Sequence, residues 1–276
     1  MFDRKQLLLT VIIYTTVHVS KGFLKPLNKT MNVVDDRYDG CHEEAMKTFI
    51  PDQLEEELNK TEGFQKAWSA NSRCSSLIPG GTKDHTSALS ALHFGDTSFL
   101  KELAKAVETM GANLSTYQND FHFKSLHFLV MDSMRLLNQN KTCKDFFTFS
   151  EMNEIPSTGS KLRFSRFTTV HSDFEGLGDV DGETILKIQS CFYVDLDNHI
   201  CQKELLKTLL SPVEVFTVTD SKQIRKGADM FTQVVLSHQS FNSNHNCYMF
   251  PRSAAVISTQ SFLLLLVASL LASSHV

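Results

Sequence analysis

Apolar residues recur at helical intervals through the first half of the chain. The clearest stripe occupies residues 122–137, and its members are Phe123, Leu126, Val130, Met134 and Leu137. Spacings of three and four place them on one face of a helix, and that face must pack against a core. Strong helix formers fill residues 42–70, where Pro51 separates two predicted helices. Further helices are predicted over residues 86–92 and 98–107.

The pattern changes after Cys143. Apolar and polar residues alternate over residues 162–169, and residues 184–196 place an alternating set on one face. Residues 213–219 and 230–236 are rich in β-branched side chains. Each of these stretches predicts a β-strand. Helices that come first and strands that come second predict an α+β fold rather than alternating βαβ units.

The N-terminus has the composition of a secretory signal peptide. Arg4 and Lys5 precede an apolar run, and Ser20 stands where a small residue suits signal peptidase. A buried first helix is the alternative. Pro26 disfavours it because this proline follows the apolar run closely. We assign residues 1–22 to a signal peptide.

The C-terminus ends in an apolar segment, residues 262–272, that has no cationic residue after it. The segment is shorter than the roughly 20 residues of a comfortable bilayer span, so a membrane helix is the weaker alternative to a cleaved lipid-anchor signal. We assign residues 252–276 to that signal. Residues 23–251, which contain no internal repeat, are assigned to one domain.

Composition narrows the classes of partner. The 276 residues are 42% hydrophobic and 21% charged, as in globular proteins, and a net charge of -4 offers no basic field for nucleic acid. The six cysteines form no CxxC pair and no cluster at zinc spacing, so the sequence predicts disulfides and no metal. Glycosylation triplets begin at Asn59, Asn113 and Asn140 and agree with a secreted chain; another at Asn28 lies close to the mature N-terminus.

Common catalytic motifs do not occur. The sequence has no Gly-x-Ser-x-Gly and no phosphate-binding loop, and Gly176-Leu-Gly178 lacks the third glycine of a dinucleotide loop. His122 and His127 are five residues apart, which puts them on different faces of the helix and disfavours a metal site.

Six short segments occur in an order and at spacings that resemble those of a known family. They are Val34-Asp-Asp-Arg-Tyr-Asp-Gly-Cys41, Phe121-His-Phe-Lys-Ser-Leu-His-Phe128, Leu162-Arg-Phe-Ser-Arg-Phe-Thr-Thr169, Thr184-Ile-Leu-Lys-Ile-Gln-Ser-Cys191, Pro212-Val-Glu-Val-Phe216 and His245-Asn-Cys247. The chain resembles the vertebrate ecto-mono-ADP-ribosyltransferases, which are NAD-arginine ADP-ribosyltransferases with a toxin-like fold. The resemblance covers nearly the whole mature chain, and the predicted signal peptide and anchor agree with it.

This resemblance implies a fold and a reaction. The fold is an N-terminal helical part packed on two C-terminal, mostly antiparallel β-sheets. The reaction cleaves NAD or NADP at the nicotinamide ribose and passes ADP-ribose to a protein arginine, so NAD is a substrate and no metal takes part. An oxocarbenium-like centre forms as nicotinamide leaves, and a carboxylate bonded to the ribose hydroxyl stabilises it.

The cofactor-binding residues that the resemblance implies are altered here. The family arginine follows the cysteine matched by Cys143, and its place is taken by Thr148, which has no guanidinium fork. The family serine is replaced by Thr169, which keeps a hydroxyl. Arg163 and Arg166 stand nearby, but strand alternation puts them on opposite faces, so at most one of them faces the cleft.

The catalytic carboxylate has two candidate registers. Counted without gaps from the flanking segments, its position is Lys207, whose positive charge opposes the formation of a cation. A slip of three residues instead reproduces a Gln-x-Glu turn with Gln202 and Glu204, which then act with Thr169. This slip needs an insertion near Leu209.

The sequence is therefore consistent with two functions. The first is an NAD-dependent transferase that modifies arginine on acceptor proteins. The second is a catalytically lapsed member of the family that binds a partner protein at the cell surface. In both, the resemblance and the chain ends imply passage through the secretory pathway and a GPI anchor in the outer leaflet, with secretion as the alternative.

The resemblance also implies a pattern of disulfides. It pairs Cys41 with Cys247 and Cys143 with Cys191. Cys74 and Cys201 remain and are left to bond to each other.

Overall fold

The computed structural model describes residues 23–70, 77–138, 142–200 and 207–250. The predicted signal peptide and anchor signal lie outside these residues, as do Cys74, Asn140, Cys201, Gln202 and Glu204. Within the described part, no helix has both the length and the apolar character needed to cross a membrane.

Helices occupy the first half of the described chain. They are α1 (His42–Thr48), α2 (Leu54–Lys60), α3 (Glu62–Ser69), α4 (Lys83–Phe94), α5 (Thr97–Thr109), α6 (Leu114–Asn119) and α7 (Lys124–Leu137). The sequence predicts two helices over residues 42–70, and the structure has three, because Thr61 adopts an extended conformation between α2 and α3. Helix α5 begins where Asp96 caps it by accepting the Phe99 backbone N–H at 2.9 Å.

Strands occupy the second half, apart from a short strand at the start. They are β1 (Leu24–Pro26), β2 (Lys144–Phe149), β3 (Lys161–Phe164), β4 (Thr168–His171), β5 (Thr184–Ser190), β6 (Tyr193–Asp195), β7 (Lys207–Leu210), β8 (Glu214–Lys226) and β9 (Asp229–Phe241). Their order in the sheet is β1-β3-β8-β9-β5-β2-β4-β7-β6. The pair β5 and β9 is parallel, and the other pairs are antiparallel. The predicted α+β class is confirmed.

Two predicted strands are each divided into two. Residues 165–167 leave the ladder between β3 and β4, so the alternating stretch serves two different strands. The chain also bends at Cys191, between β5 and β6, where a disulfide ties it to Cys143 just before β2. Across Cys191 the apolar positions Ile188, Phe192 and Val194 keep the same alternation, so that bend is not visible in the hydrophobic pattern. At residues 165–167 the apolar position shifts by one residue, from Phe164 to Phe167.

The sheet curls so that its two ends share one core. Strands β2 and β4 join at a single residue pair, Phe147 with His171, which divides the sheet into a six-stranded and a three-stranded part. Leu162 of β3 and Val170 of β4, from different parts, are nevertheless buried in the same cluster. The two packed sheets implied by the resemblance are thus two parts of one continuous hydrogen-bonded sheet.

A second core lies between the helices and the three-stranded part. Helix α7 runs through it, with residues 124–134 all buried. Leu209 of β7 and Val194 of β6 join this cluster from the sheet side. One face of β4, β7 and β6 therefore looks towards the helices, and the other looks into the core of the sheet.

A buried ion pair ties both ends of the described chain to the sheet. Arg163 in β3 and Asp35 are both fully buried, and Nη1 of Arg163 lies 2.9 Å from Oδ2 of Asp35. The guanidinium also donates to the backbone oxygens of Thr30, at 2.8 Å, and Asn242, at 3.2 Å. Asp35 in turn accepts the backbone and ring N–H groups of His245, at 3.0 and 2.9 Å.

Both predicted disulfides within the described residues are confirmed. Cys41 bonds to Cys247 with a Cα–Cα distance of 5.9 Å, next to the buried ion pair. Cys143 bonds to Cys191 with a Cα–Cα distance of 4.0 Å and joins the start of β2 to the end of β5.

The central helix α7 is capped from a distance. Phe123, at its N-cap, provides no side-chain hydrogen bond. Glu57 of α2 caps the helix in its place. Its carboxylate accepts the backbone N–H groups of Lys124 at 2.9 Å and Ser125 at 3.0 Å. Burial raises the pKa of Glu57 to about 7, against the opposing effect of these N–H groups and of the Lys124 charge.

Changing Arg163 to Met should lower the free energy of unfolding by about 3–5 kcal/mol, because Asp35 would remain as a buried, uncompensated charge. Urea unfolding of the purified ectodomain measures this. The double change Asp35→Asn with Arg163→Met should cost less than the sum of the single changes. Lys161→Met, at an exposed position of the same strand, is the control and should have little effect. If Arg163→Met lowers the free energy of unfolding by 1 kcal/mol or less, the ion pair does not compensate a costly buried charge.

Changing Glu57 to Gln should alter how stability depends on pH. A pKa raised in the folded state means that stability is fully present below the unfolded value and is lost as the pH rises through about 7. Between about pH 4.5 and pH 8 the free energy of unfolding of the wild type should therefore fall by roughly 2–3 kcal/mol relative to that of Glu57→Gln.

The measurement is urea unfolding of both proteins across this range. Asp36, whose pKa burial raises to about 6, acts in the same direction, and His127, whose pKa burial lowers to about 4, acts in the opposite direction. Because both groups are unchanged in the variant, the difference between the two proteins isolates Glu57. Parallel curves would show that Glu57 keeps an ordinary pKa.

Candidate functional site

A cavity of about 450 Å³ opens between helix α5 and the edge where β4 and β7 meet. Its walls are mostly apolar, with a few polar and charged groups. The lining residues are Phe23, Leu92, Thr97, Leu100, Lys101, Leu103, Ala104, Val107, Glu151, Arg166, Phe167, Thr168, Thr169 and Leu209. An apolar cleft with a small number of polar groups is the usual form of a small-molecule site.

Two of the predicted cofactor-binding residues meet in this cavity. Thr169 lies in β4 opposite Leu209 of β7, and both line the wall on the sheet side. Arg166 lies in the bend before β4, and its guanidinium stacks over the ring of Phe23. Burial lowers the pKa of Arg166, whereas the charge of Glu151 acts in the opposite direction.

The other two predicted residues lie elsewhere. Arg163 is fully buried and bound to Asp35, so it is part of the fold and does not reach the cavity. Thr148 is fully buried in β2 and does not line the cavity. Because Phe147 pairs with His171, alternation puts Thr148 on the face opposite to His171 and Thr169.

The wall of β4 and β7 continues past the cavity into a pair of basic side chains. Lys207 is the partner of His171 across the two strands, one pleat beyond the pair of Thr169 and Leu209. All four side chains share a face, because residues two apart in a strand point the same way. The candidate hydroxyl of Thr169 and the amine of Lys207 therefore lie along one surface.

Burial governs the titration of this basic pair. Lys207 is half-buried, and this burial lowers its pKa while the charge of Asp197 acts against the shift. His171 also has a lowered pKa, first from burial and second from the charge of Lys207. Gly176 packs so close to the imidazole that a Cβ there would lie 2.8 Å from Nδ1 of His171. The glycine thus permits the following loop to close over His171.

The pairing of β7 bears on which of the two predicted registers applies to the carboxylate position. Residues from Lys207 to Leu210 pair one for one with β4, and the pairs with β6 from Thr208 to Leu210 are equally regular. Neither ladder has an extra residue near Leu209, where the slipped register needs an insertion. Gln202 and Glu204 lie outside the described residues, so the turn that would carry them is not described.

The predicted site residues leave out four polar members of the cavity, which are Thr97, Lys101, Glu151 and Thr168. Glu151 follows β2 directly and is the carboxylate among the described lining residues. Thr97 and Lys101 come from α5, one turn apart on the side of the helix that faces the sheet. The amphipathic pattern of α5 shows which face is apolar, but only the tertiary structure shows that this face borders a cavity.

Comparison with known proteins agrees with the fold. Residues 27–243 match the family described as NAD:arginine ADP-ribosyltransferase. Ecto-ADP-ribosyltransferase 5 of Mus musculus is 27% identical over 236 residues, covering 80% of this chain and 75% of the relative. The GPI-linked NAD(P)(+)--arginine ADP-ribosyltransferase 1 of Mus musculus is 22% identical and covers 90% of this chain and 85% of its own length.

A solved structure supports the same assignment of the fold. The eucaryotic mono-ADP-ribosyltransferase ART2.2 superposes with a TM-score of 0.63 at 22% identity, over 79% of this chain and 96% of that one. A mutant of ART2.2 solved in complex with NAD superposes with a TM-score of 0.61 over the same shares.

Proposed function

Because the chain belongs to the NAD:arginine ADP-ribosyltransferase family, we propose that it binds an NAD-type dinucleotide in the cavity beside Thr169 and transfers ADP-ribose slowly or not at all. The observation that carries the proposal is the regular pairing of β7, which favours Lys207 as the residue in the position of the catalytic carboxylate. The protein is then a binding member of the family with a degenerate catalytic centre.

The cavity suits the parts of a dinucleotide that do not react. Its apolar walls can cover a base, and Arg166 and Lys101 offer positive charge for a diphosphate. Thr169 supplies a hydroxyl beside them. The affinity should nevertheless be low, because Thr148 lacks a guanidinium fork. Losing such a charge-assisted contact typically costs about 1.5–3 kcal/mol, which is roughly ten- to more than a hundredfold in affinity.

Transfer would require four events at the ribose. The bond from ribose C1′ to the nicotinamide nitrogen breaks, nicotinamide leaves with the bonding electrons, a guanidine nitrogen of the acceptor bonds to C1′, and that nitrogen loses a proton. Positive charge develops on the ribose while the first bond breaks. A carboxylate at this position would stabilise the charge, whereas the amine of Lys207 repels it, so the cost falls on the transition state.

The proposal predicts a gain of activity from one charge change. Lys207→Glu should raise transfer of ADP-ribose from labelled NAD to a small arginine analogue by roughly 10²–10³-fold over the wild type, the usual scale for one preorganised electrostatic contact. Lys207→Met, which removes the charge and keeps the length of the side chain, should give a smaller rise. Isothermal titration with NAD should show binding to all three proteins.

Two outcomes would contradict the proposal in different ways. Vigorous transfer by the wild type that is lost in Glu204→Gln and unchanged in Lys207→Met would assign the carboxylate to Glu204 and make the protein an active transferase. Absence of NAD binding in every variant, with folding confirmed by circular dichroism, would remove the dinucleotide from the cavity altogether.

We further propose that the mature protein is a glycoprotein held on the outer leaflet by a GPI anchor. Two GPI-linked relatives and the apolar C-terminal segment support this. Asn59 and Asn113 are exposed, as glycan carriers must be. Asn113 also caps α6 through its carbonyl oxygen, at 2.9 Å from the Thr116 N–H, whereas a glycan attaches to the amide nitrogen. Capping and glycosylation are therefore compatible. A protein on the outer leaflet meets its acceptor or partner protein outside the cell.

Phosphatidylinositol-specific phospholipase C should release the full-length protein from expressing cells, because the anchor holds it through lipid alone. Detection of the ectodomain in the medium measures the release. A chain ending at Pro251 should appear in the medium without enzyme and serves as the control. Protein that stays on treated cells would instead support a spanning C-terminal segment.

A further inference from the structure

A second group of reactive side chains lies away from the cavity, where β5 ends and β8 begins. Glu214 is fully buried there, and its carboxylate makes three hydrogen bonds. Its Oε2 accepts from Oγ of Ser190, and its Oε1 accepts from the backbone N–H of Cys191 at 2.8 Å. Nδ1 of His238, from β9, lies 2.7 Å from the same Oε1.

The sulfur of Cys191 belongs to this group. Its Sγ, a carboxylate oxygen of Glu214 and a ring nitrogen of His238 all lie within 4.8 Å of one another. Cys143 adds a second sulfur, because it is the disulfide partner of Cys191. The surroundings are closed on the Glu214 side, but the side chain of His238 is 22% exposed, so small ions can reach the group from solvent.

Two sulfurs, an imidazole and a carboxylate are a ligand set that zinc prefers once the sulfurs are thiolates. We propose that Cys143, Cys191, Glu214 and His238 bind Zn²⁺ when the disulfide between the two cysteines is reduced. A metal and a disulfide would then be alternative cross-links between the start of β2 and the end of β5. This site is independent of the cavity and of the function proposed for it.

A dithiol can serve as the reductant. The dithiol gives two electrons and two protons to the disulfide and becomes a cyclic disulfide itself, and Cys143 and Cys191 become thiols. Zn²⁺ then displaces one proton from each thiol, and these protons pass to solvent. In the oxidised protein the same sulfurs are poor ligands, since neither carries the negative charge of a thiolate.

The observed spacing is close to what zinc requires. Tetrahedral bonds of about 2.0–2.3 Å place neighbouring donor atoms roughly 3.3–3.8 Å apart. The present group, with separations up to 4.8 Å, needs a movement of about 1 Å, and Cys191 lies in a bend between strands where the opened disulfide frees its side chain. Ser190 and the Cys191 N–H already hold the carboxylate in place, which is the role that outer hydrogen bonds have in metal sites.

The variant Cys143→Ala tests the site without any reductant, because it leaves Cys191 as a thiol beside Glu214 and His238 and keeps the disulfide between Cys41 and Cys247. Co²⁺ is the probe. It should give a thiolate-to-metal absorption band that saturates at one ion per chain and disappears when Zn²⁺ is added. Cys143→Ala with His238→Ala should bind Co²⁺ at least tenfold more weakly.

The matched control is Cys191→Ala, which breaks the same disulfide but leaves the other cysteine. Its Co²⁺ affinity should be at least tenfold lower than that of Cys143→Ala. Equal binding by the two single variants, or no thiolate band in a folded Cys143→Ala protein, would overturn the proposal.

The wild-type protein provides a test that does not depend on the folding of any variant. After mild reduction, Zn²⁺ should slow alkylation of Cys143 and Cys191 at least tenfold, as read by mass spectrometry of the labelled peptides, and leave the rate at reduced Cys41 unchanged. Equal alkylation rates with and without Zn²⁺ would also overturn the proposal.

Discussion

The buried pair of Asp35 and Arg163 is the constraint on which the arrangement of this chain depends. Both side chains are fully buried, and an isolated charge in such a place costs several kcal/mol unless it is paired and hydrogen-bonded. The N-terminal segment supplies the acid, β3 supplies the base, and the segment after β9 supplies the remaining partners through Asn242 and His245. Burial alone would raise the pKa of Asp35, but the hydrogen bond from His245 and the charge of Arg163 outweigh it, and the pKa is lowered. Three distant parts of the chain must therefore come together before either charge can be buried.

This constraint also explains why the sequence indicates the fold better than it indicates the details. Helical periodicity finds α7 and α5, and alternation finds the strands, because both patterns are local. The bends at residues 165–167 and at Cys191 are different, because the chain changes strand partners at each bend. At Cys191 the alternation continues unchanged, and the disulfide to Cys143 marks the end of β5. Strand β7 is four residues long and buried on both sides, so it carries no alternating signal at all.

The site was predictable in part for the same reason. Thr169 and Arg166 could be placed together because they are near in sequence. Arg163 lies in the buried ion pair and Arg166 lines the cavity, but Arg166 stands in the bend between β3 and β4, so strand alternation does not account for its position. Lys207 and His171 are neighbours only because β4 pairs with β7. These two strands are separated in sequence by more than thirty residues and by two other strands. No local pattern fixes such a register, since register is set by the faces that neighbouring strands must bury.

The charged groups that stabilise the fold are different residues from those along the cavity wall. Asp35, Arg163 and Glu214 are fully buried and bonded to backbone groups at chain junctions, whereas Arg166 and Lys207 are half-buried along a wall that packs with apolar side chains. A substitution on the wall changes the potential that a ligand meets but leaves the junctions intact. A chain with this fold can therefore exchange one charged residue for another along the wall without unfolding, because the charges that stabilise the junctions are different residues. The fold that this chain shares with its family therefore depends on the junctions, and the wall can vary separately from it.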